Sequence, residues 1–391
     1  MARHNKRSIL QQSSIYAHIV GWGMRVPRTV LTNEDLAAIL ETSDEWIRAR
    51  TGIHERRVAN ERETTARLGL KAAQEALSVT NILPADVDLI IVATSTPENI
   101  FPSTASLIQH WLGAHNAGAF DLSAACSGFV YAVDMAAQAI RSGSIETAVV
   151  IGTETMSRVL DWQDRSTCIL FGDGAGAVVL QAARDRGGVL SSVLRSDGSG
   201  ADLLGLPTIN AARIRSTEVL GEHKLHKMYM SGGEVFKFAT RVIGESVHDA
   251  CRLAGITIDD VKLIIPHQAN ERIIQAAARS LGVESDRFMS NLNRYGNTSA
   301  ASIPLALYDA IAERRLTAGD YIVFVGFGGG LSWASMVVQW SMAQPADIQV
   351  NRLQERRRRF GYTLVKLRVQ FRQLMRRIRT FLRLERRDPD D

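Results

Sequence analysis

The stretch RLGLKAAQEALSVTNILPADVDLII, residues 67–91, aligns without a gap to RVIGESVHDACRLAGITIDDVKLII, residues 241–265. Arg67/Arg241, Ala76/Ala250, Asp86/Asp260, Val87/Val261, Leu89/Leu263, Ile90/Ile264 and Ile91/Ile265 are identical pairs. Each copy reads as helix, turn and buried strand: apolar residues recur at helical spacing, a turn breaks the pattern, and a continuous apolar run closes it. A second echo joins GDGAGAVVLQ, from Gly172, to GGGLSWASMVVQ, from Gly328, each a glycine turn feeding a strand. Two similar α/β halves follow, residues 15–185 and 186–340, in which sheets alternate with helices. Residues 341–391 stand apart as a linker and a basic extension.

At 391 residues the chain accommodates two domains or one large duplicated unit. Its three cysteines, Cys126, Cys168 and Cys251, are far apart and form no CxxC pair, so neither a disulfide framework nor a zinc site is indicated. No apolar run approaches the roughly 18 residues of a membrane span. The N-terminal MARHNKRSILQQSS lacks the apolar core of a signal peptide, and a cytoplasmic protein is expected. Charge is unevenly placed: residues 351–391 hold 14 Lys+Arg against 5 Asp+Glu, whereas the other 350 residues hold 32 against 36. A body with no basic excess argues against nucleic acid as its partner.

Three polar residues stand where apolar strands give way to small-residue helix starts. In AFDLSAACSGFVY (119–131), Ala119, Phe120 and Leu122 read as the end of a buried strand. Phe129, Val133, Ala136 and Ile140 then recur at helical spacing, which puts Cys126 at a helix N-terminus, where unpaired N–H groups favour the nucleophilic thiolate. By itself such a cysteine reads as a small buried hydrophobe. Two further sites change that reading: His267, after the strand that Pro266 ends, and Asn297, in the polar loop of NRYGNTSAAS. A cysteine, a histidine and an asparagine together suit acyl chemistry at a thioester. The thiolate takes the acyl group, while a neutral imidazole and an amide N–H donate to the enolate oxygen formed when a malonyl group loses CO2. No cluster of His, Cys and carboxylate at ligand spacing points to a metal.

Read in order, TSDEWIRARTGI (42–53), AACSGF (124–129), FGDGAGA (171–177), PHQAN (266–270), GNTSAAS (296–302) and FGGG (327–330) resemble the β-ketoacyl-acyl-carrier-protein synthase III family of the thiolase superfamily, over roughly Ile15 to Trp340. The resemblance implies a duplicated five-layer αβαβα thiolase-like fold and a decarboxylative condensation of an acyl-CoA primer with malonyl-acyl-carrier protein. No cofactor is implied, coenzyme A entering as the substrate thioester. Matched motif by motif, Cys126 would be the nucleophile, and His267 and Asn297 the decarboxylation pair. The backbone N–H groups of Cys126 and Gly329 would form the oxyanion hole. Trp46 and Arg165 match positions holding the adenine of coenzyme A, with Arg50 near its phosphates and Asn270 beside the catalytic histidine. Phe101 matches a residue that reaches the partner subunit's acyl pocket in a homodimer. Lys237, Arg272 and Arg279 match a basic patch that docks the acidic carrier protein, and read equally as ordinary surface charges.

The tail has no counterpart in that pattern. Leu353, Phe360, Leu364, Leu367, Phe371, Leu374, Ile378 and Phe381 fall on one seam, mostly at alternating spacings of three and four, with arginine on most other faces. This is a basic amphipathic helix, expected to attach reversibly to an anionic membrane or an acidic partner through residues 353–387. Packing on the enzyme's own body and a coiled coil between subunits are the other readings. Two rival functions stand beside the main one: a condensing enzyme of specialised metabolism, and a non-catalytic acyl- or carrier-binding scaffold.

Overall fold

A computed structural model describes residues 14–208, residues 225–342, and scattered positions between 356 and 375. The first half runs β1 (Tyr16–Arg25), β2 (Thr29–Thr32), α1 (Asn33–Ala37), α2 (Asp44–Thr51), β3 (Glu55–Val58), α3 (Thr65–Ser78) and β4 (Leu89–Ala93). It continues with α4 (Thr104–Leu112), β5 (Gly118–Leu122), α5 (Gly128–Arg141), β6 (Thr147–Thr155), α6 (Arg165–Cys168) and β7 (Asp173–Ala183). The second half starts with β8 (Gly188–Ser196), β9 (Leu204–Gly205), β10 (Tyr229–Met230), α7 (Gly232–Ala254) and β11 (Val261–Pro266). It ends with α8 (Glu271–Leu281), α9 (Leu292–Tyr295), α10 (Ser302–Ala312), β12 (Tyr321–Gly328) and β13 (Ser332–Gln339).

The aligned segments adopt the same path, α3 to β4 and α7 to β11, each through a single 3-10 turn, Pro84–Asp86 and Ile258–Asp260. The sheets repeat as well. In the order β1-β7-β6-β4-β5, β4 and β6 are parallel while β6, β7 and β1 alternate in direction. In β11-β12-β13-β8 the same pairings recur. What the second sheet lacks is a full partner for β5, reduced there to one bridge between Ile264 and Phe288.

Five layers result. Helices α5 and α10 lie between the sheets and share one core with both, Phe129 of α5 meeting Phe324 of β12 edge to face at 6.2 Å. Helix α3 covers the outer face of the first sheet, and α7 with α8 that of the second. Strands walled on both faces carry a continuous apolar run, as in β6, where Ala148–Ile151 are apolar and all nine residues, Glu154 included, are buried. Each large apolar side chain so buried contributes about 1.5–3 kcal/mol.

One sequence expectation changes. Strand β5 forms, but as the outermost strand, with one edge unpaired among the described residues and Phe120 43% exposed, so it is not a buried strand. Within the tail, the described Phe360, Leu364, Leu367 and Phe371 are exposed, while Tyr362 packs against the α3 core cluster. Tyr362 is not one of the seam residues. Leu353, Leu374, Ile378 and Phe381 lie outside the described residues. No described helix is long and apolar enough to cross a membrane.

Candidate active site

Three loops at the tips of the two sheets carry Cys126, His267 and Asn297 to one cleft of about 1210 Å³. Cys126 sits in a 3-10 turn, Ala125–Ser127, that runs straight into α5. The turn is tight: Ala125 has φ 45°, a left-handed conformation costing on the order of 1–3 kcal/mol. Gly328 makes room for it, because a Cβ there would stand 2.8 Å from the Cys126 nitrogen. Ser127 Oγ and Ser332 Oγ, 2.9 Å apart, tie the nucleophile turn to the second half.

Beyond β11, the His267 N–H donates to the Val325 carbonyl at 2.7 Å. The ring packs edge to face on Phe327 at 5.0 Å, and Nδ1 lies 2.7 Å from Ser302 Oγ. Burial pushes the imidazole down to about 3, so it is neutral at physiological pH. Asn297 is clamped by its backbone, donating to the Leu170 carbonyl at 2.8 Å and accepting from the Gly172 N–H at 3.0 Å. Its Oδ1 accepts from the Ser299 N–H at 2.8 Å, which leaves the –NH2 group to donate elsewhere. Gly152 of β6 lets the following 3-10 turn, Ser299–Ala301, lie on the sheet, since a Cβ there would sit 2.2 Å from the Ala300 carbonyl oxygen.

The thiol departs from the expectation of a standing thiolate. Burial pushes Cys126 up to about 12, and only a Ser299 hydrogen bond and a local backbone one oppose it. Desolvation of a charge in a closed site outweighs the partial charge of a helix end. Sγ donates to Ser299 Oγ at 3.4 Å, and Ser299 Oγ donates to Glu154 Oε1 at 3.0 Å.

At the mouth, α2 places Trp46 and Arg50 one turn apart. The guanidinium carbons of Arg50 and Arg165 stand 5.0 and 4.8 Å from the Trp46 ring centroid. Such a stack suits an aromatic base and an anion, worth about 0.5–2 kcal/mol per cation contact. Asn270 caps α8 and donates to the Arg50 carbonyl at 3.0 Å, so its polar atoms position α2 rather than reach outward. Lys237 and Arg272 line the cleft; Lys237 also pairs with Glu234 at 2.8 Å. Arg279 is exposed two turns along α8 and is not part of the lining. Gly329 lines the cleft beside Cys126, while Phe101 stands 85% exposed outside it. Among the described residues no group of His, Cys, Asp or Glu is placed to hold a metal.

Sequence reading missed Ser299, Ser302, Phe327 and Glu154. Ser299 and Ser302 sit inside the quoted GNTSAAS and Phe327 opens FGGG, so the signal was present but carried no role. Glu154, at the end of an apolar strand, left only the oddity of a carboxylate in AVVIGTE.

Comparison with known proteins followed the same outline. A family model described as 3-oxoacyl-[acyl-carrier-protein] synthase III matches residues 120–198, and one described as its C-terminal part matches residues 251–340. The chain is similar to a beta-ketoacyl-[acyl-carrier-protein] synthase III of Roseiflexus sp. (strain RS-1), 49% identical over 326 residues, or 83% of this chain and 99% of the relative. Among solved structures it is similar to 3-oxoacyl-[acyl-carrier-protein] synthase III of Aquifex aeolicus VF5, at 45% identity and TM-score 0.77, covering 83% of this chain and all of that one. The Thermus thermophilus enzyme of the same name gives 44% and 0.79 with the same coverage.

Proposed function

The chain belongs to the beta-ketoacyl-[acyl-carrier-protein] synthase III family, and from that premise we propose that Cys126, His267 and Asn297 carry its reaction. That reaction is the condensation of an acyl-CoA primer with malonyl-acyl-carrier protein, which starts fatty-acid synthesis. One observation carries the assignment: a buried thiol, a neutral imidazole and an amide with its –NH2 uncommitted line the same cleft. The thiol attacks the primer thioester and CoA leaves. Malonyl-carrier protein then enters, with Ser302 donating to His267 Nδ1 so that the ring proton is on Nε2. His267 Nε2–H and the Asn297 amide donate to the malonyl thioester oxygen as CO2 departs, and the enolate carbon attacks the cysteinyl thioester. The Cys126 and Gly329 N–H groups take up the oxyanion of that step. No metal enters this scheme.

Trp46, Arg165 and Arg50 would hold the adenine and phosphates of CoA, supported by their stack at the cleft mouth. Lys237, Arg272 and Arg279 would meet the acidic carrier protein. Incubation with acyl-CoA should leave an acyl adduct mapping to Cys126, formed faster than from the same acyl-pantetheine, which lacks the adenine. Addition of malonyl-carrier protein should discharge it as 3-oxoacyl-carrier protein, at a rate that falls as salt rises. Folded protein that takes no acyl group from any CoA ester would overturn the assignment.

The homodimer is supported by β5, whose outer edge is unpaired among the described residues, and by the exposed apolar side chains of Phe120, Phe101 and Ile100, which a second copy would cover. Phe101 would then reach the partner's acyl pocket. Light scattering should give twice the chain mass, and a monomer at micromolar concentration would contradict it.

The tail we assign to an anionic lipid surface, the protein itself remaining cytoplasmic. Support comes from the exposed seam, with Phe360 at 65% and Phe371 at 63%, and from the exposed Arg356 and Arg357 beside it. Each basic residue near such a surface is worth about 1 kcal/mol. The full chain should pellet with phosphatidylglycerol vesicles and not with phosphatidylcholine vesicles, and a version ending at Trp340 should stay in solution with both. Equal pelleting of the two versions would sink this reading.

A further inference from the structure

Glu154 lies at the end of β6 behind the nucleophile, wholly buried, and among the described residues no cation pairs with it. A carboxyl group in such a place is costly unless its oxygens are satisfied. Four neutral residues do so. Thr94 Oγ1 donates at 3.1 Å, the Ser95 N–H at 3.0 Å to both oxygens, Thr96 Oγ1 at 2.5 Å and Ser299 Oγ at 3.0 Å. The last of these continues to Cys126, whose Sγ donates to the same Ser299 oxygen. Ser299 is held for this in a left-handed conformation, φ 50°, with its N–H bound to Asn297 Oδ1. A thiol, a hydroxyl and a carboxyl group thus form one directed chain, all three buried.

We propose that Glu154, acting through the Ser299 hydroxyl, takes up the Cys126 thiol proton during acylation and returns it when the cysteine is expelled. As the sulfur attacks the primer carbonyl, the S–H electron pair becomes the new S–C bond. The thiol proton moves to Ser299 Oγ while the Ser299 proton moves to Glu154 Oε1. Coenzyme A leaves as a thiolate and takes a proton from water. In the condensation step the S–C bond breaks as the enolate forms the C–C bond, and the departing thiolate recovers a proton from Ser299, which Glu154 resupplies. Free and acylated enzyme differ here only in where that one proton sits. Ser299 touches the reacting sulfur; Glu154 is a positioning residue whose carboxyl group stores the proton.

Burial raises both groups, and the charge of Glu154 itself acts to keep the thiol protonated. Cys126 is the titratable group on this chain of bonds, the remaining partners of Glu154 being hydroxyls and one amide. Simple repulsion and proton transfer therefore predict opposite effects of removing the charge. With repulsion alone, Glu154→Gln would make Cys126 more reactive at low pH. With transfer, it would make Cys126 less reactive.

The proposal rests on Cys126 as the nucleophile, but its test reads the thiol without any substrate, so the two can fail separately. Iodoacetamide labelling of Cys126, followed by peptide mass across pH 6–8, should be nearly independent of pH in the native chain. The ratio of the thiol–carboxylate pair to the thiolate–carboxylic acid pair does not change with pH. In Glu154→Gln and Ser299→Ala the rate should instead rise about tenfold per pH unit and fall about tenfold or more below native at pH 6. Glu154→Asp, which keeps a carboxyl group, should restore most of the flat profile, as a purely structural role would not require. A native rate rising tenfold per unit, or a Glu154→Gln profile parallel to native or faster at pH 6, overturns the proposal. Should Glu154→Gln fail to fold, Ser299→Ala decides alone, since it leaves the Thr94, Ser95 and Thr96 bonds to Glu154 in place.

Discussion

Cys126→Ala should take no acyl group from any CoA ester, and its turnover should fall by about 10⁴-fold or more, equivalent to about 5 kcal/mol or more of barrier. The alanine keeps the backbone, including the N–H assigned to the oxyanion hole, and removes only the sulfur. The tight turn at Ala125 and the close approach of Gly328 are untouched, so the variant should fold and still bind CoA. Intact mass after incubation with the ester, with turnover measured in parallel, checks this. The other two cysteines serve as internal controls: Cys168 and Cys251 are buried, outside the cleft lining, and pushed up to about 11 by that burial. An adduct that survives in Cys126→Ala would place the nucleophile elsewhere.

His267→Ala and Asn297→Ala should separate the two half-reactions. Each removes one donor to the enolate oxygen, and loss of such a donor costs about 10²–10³ in rate, or about 3–4 kcal/mol. Acylation of Cys126 needs neither donor and should stay within a few-fold of native in His267→Ala, while Asn297→Ala, which also removes the Oδ1 that holds the Ser299 N–H, should lose less in acylation than in CO2 release. The readouts are CO2 release from malonyl-carrier protein and the acyl-adduct mass; parallel loss of both would contradict the division of labour. Because burial holds His267 down at about 3, no limb from its titration should appear in the decarboxylation rate between pH 5 and 8. The stability consequence has a definite sign. A histidine lowered from about 6.5 contributes stability in full above that value and loses it as pH falls towards about 3. Acid should therefore lower the melting temperature across that window, less steeply in His267→Asn.

Much of this molecule was readable from residues alone. The repeat of residues 67–91 at 241–265 became matching helix-to-strand units in two sheets of matching pairings, because helix and strand periods are local properties of the chain. The junction positions of Cys126, His267 and Asn297 were legible for the same reason. Edge status was not: AFDL has the composition of an interior strand, yet β5 lies outermost, and only the strand order shows it. Nor did the tail seam single out Tyr362, which packs beside the α3 cluster.

The sequence by itself determined the duplicated layered fold and the three side chains at the loop tips, since hydrophobic period, glycine turns and strand-to-helix junctions act over a few residues. The protonation states and the proton's path were decided only by the tertiary structure. Burial turns His267 neutral and keeps Cys126 a thiol, and burial belongs to the packed layers rather than to any segment. The hydroxyl and carboxyl groups behind the sulfur come from afar: Ser299 lies 173 residues from Cys126 and 145 from Glu154. A hydrogen bond across that separation exists because the sheets and the α5–α10 layer bring three loops to one point, which no local pattern encodes.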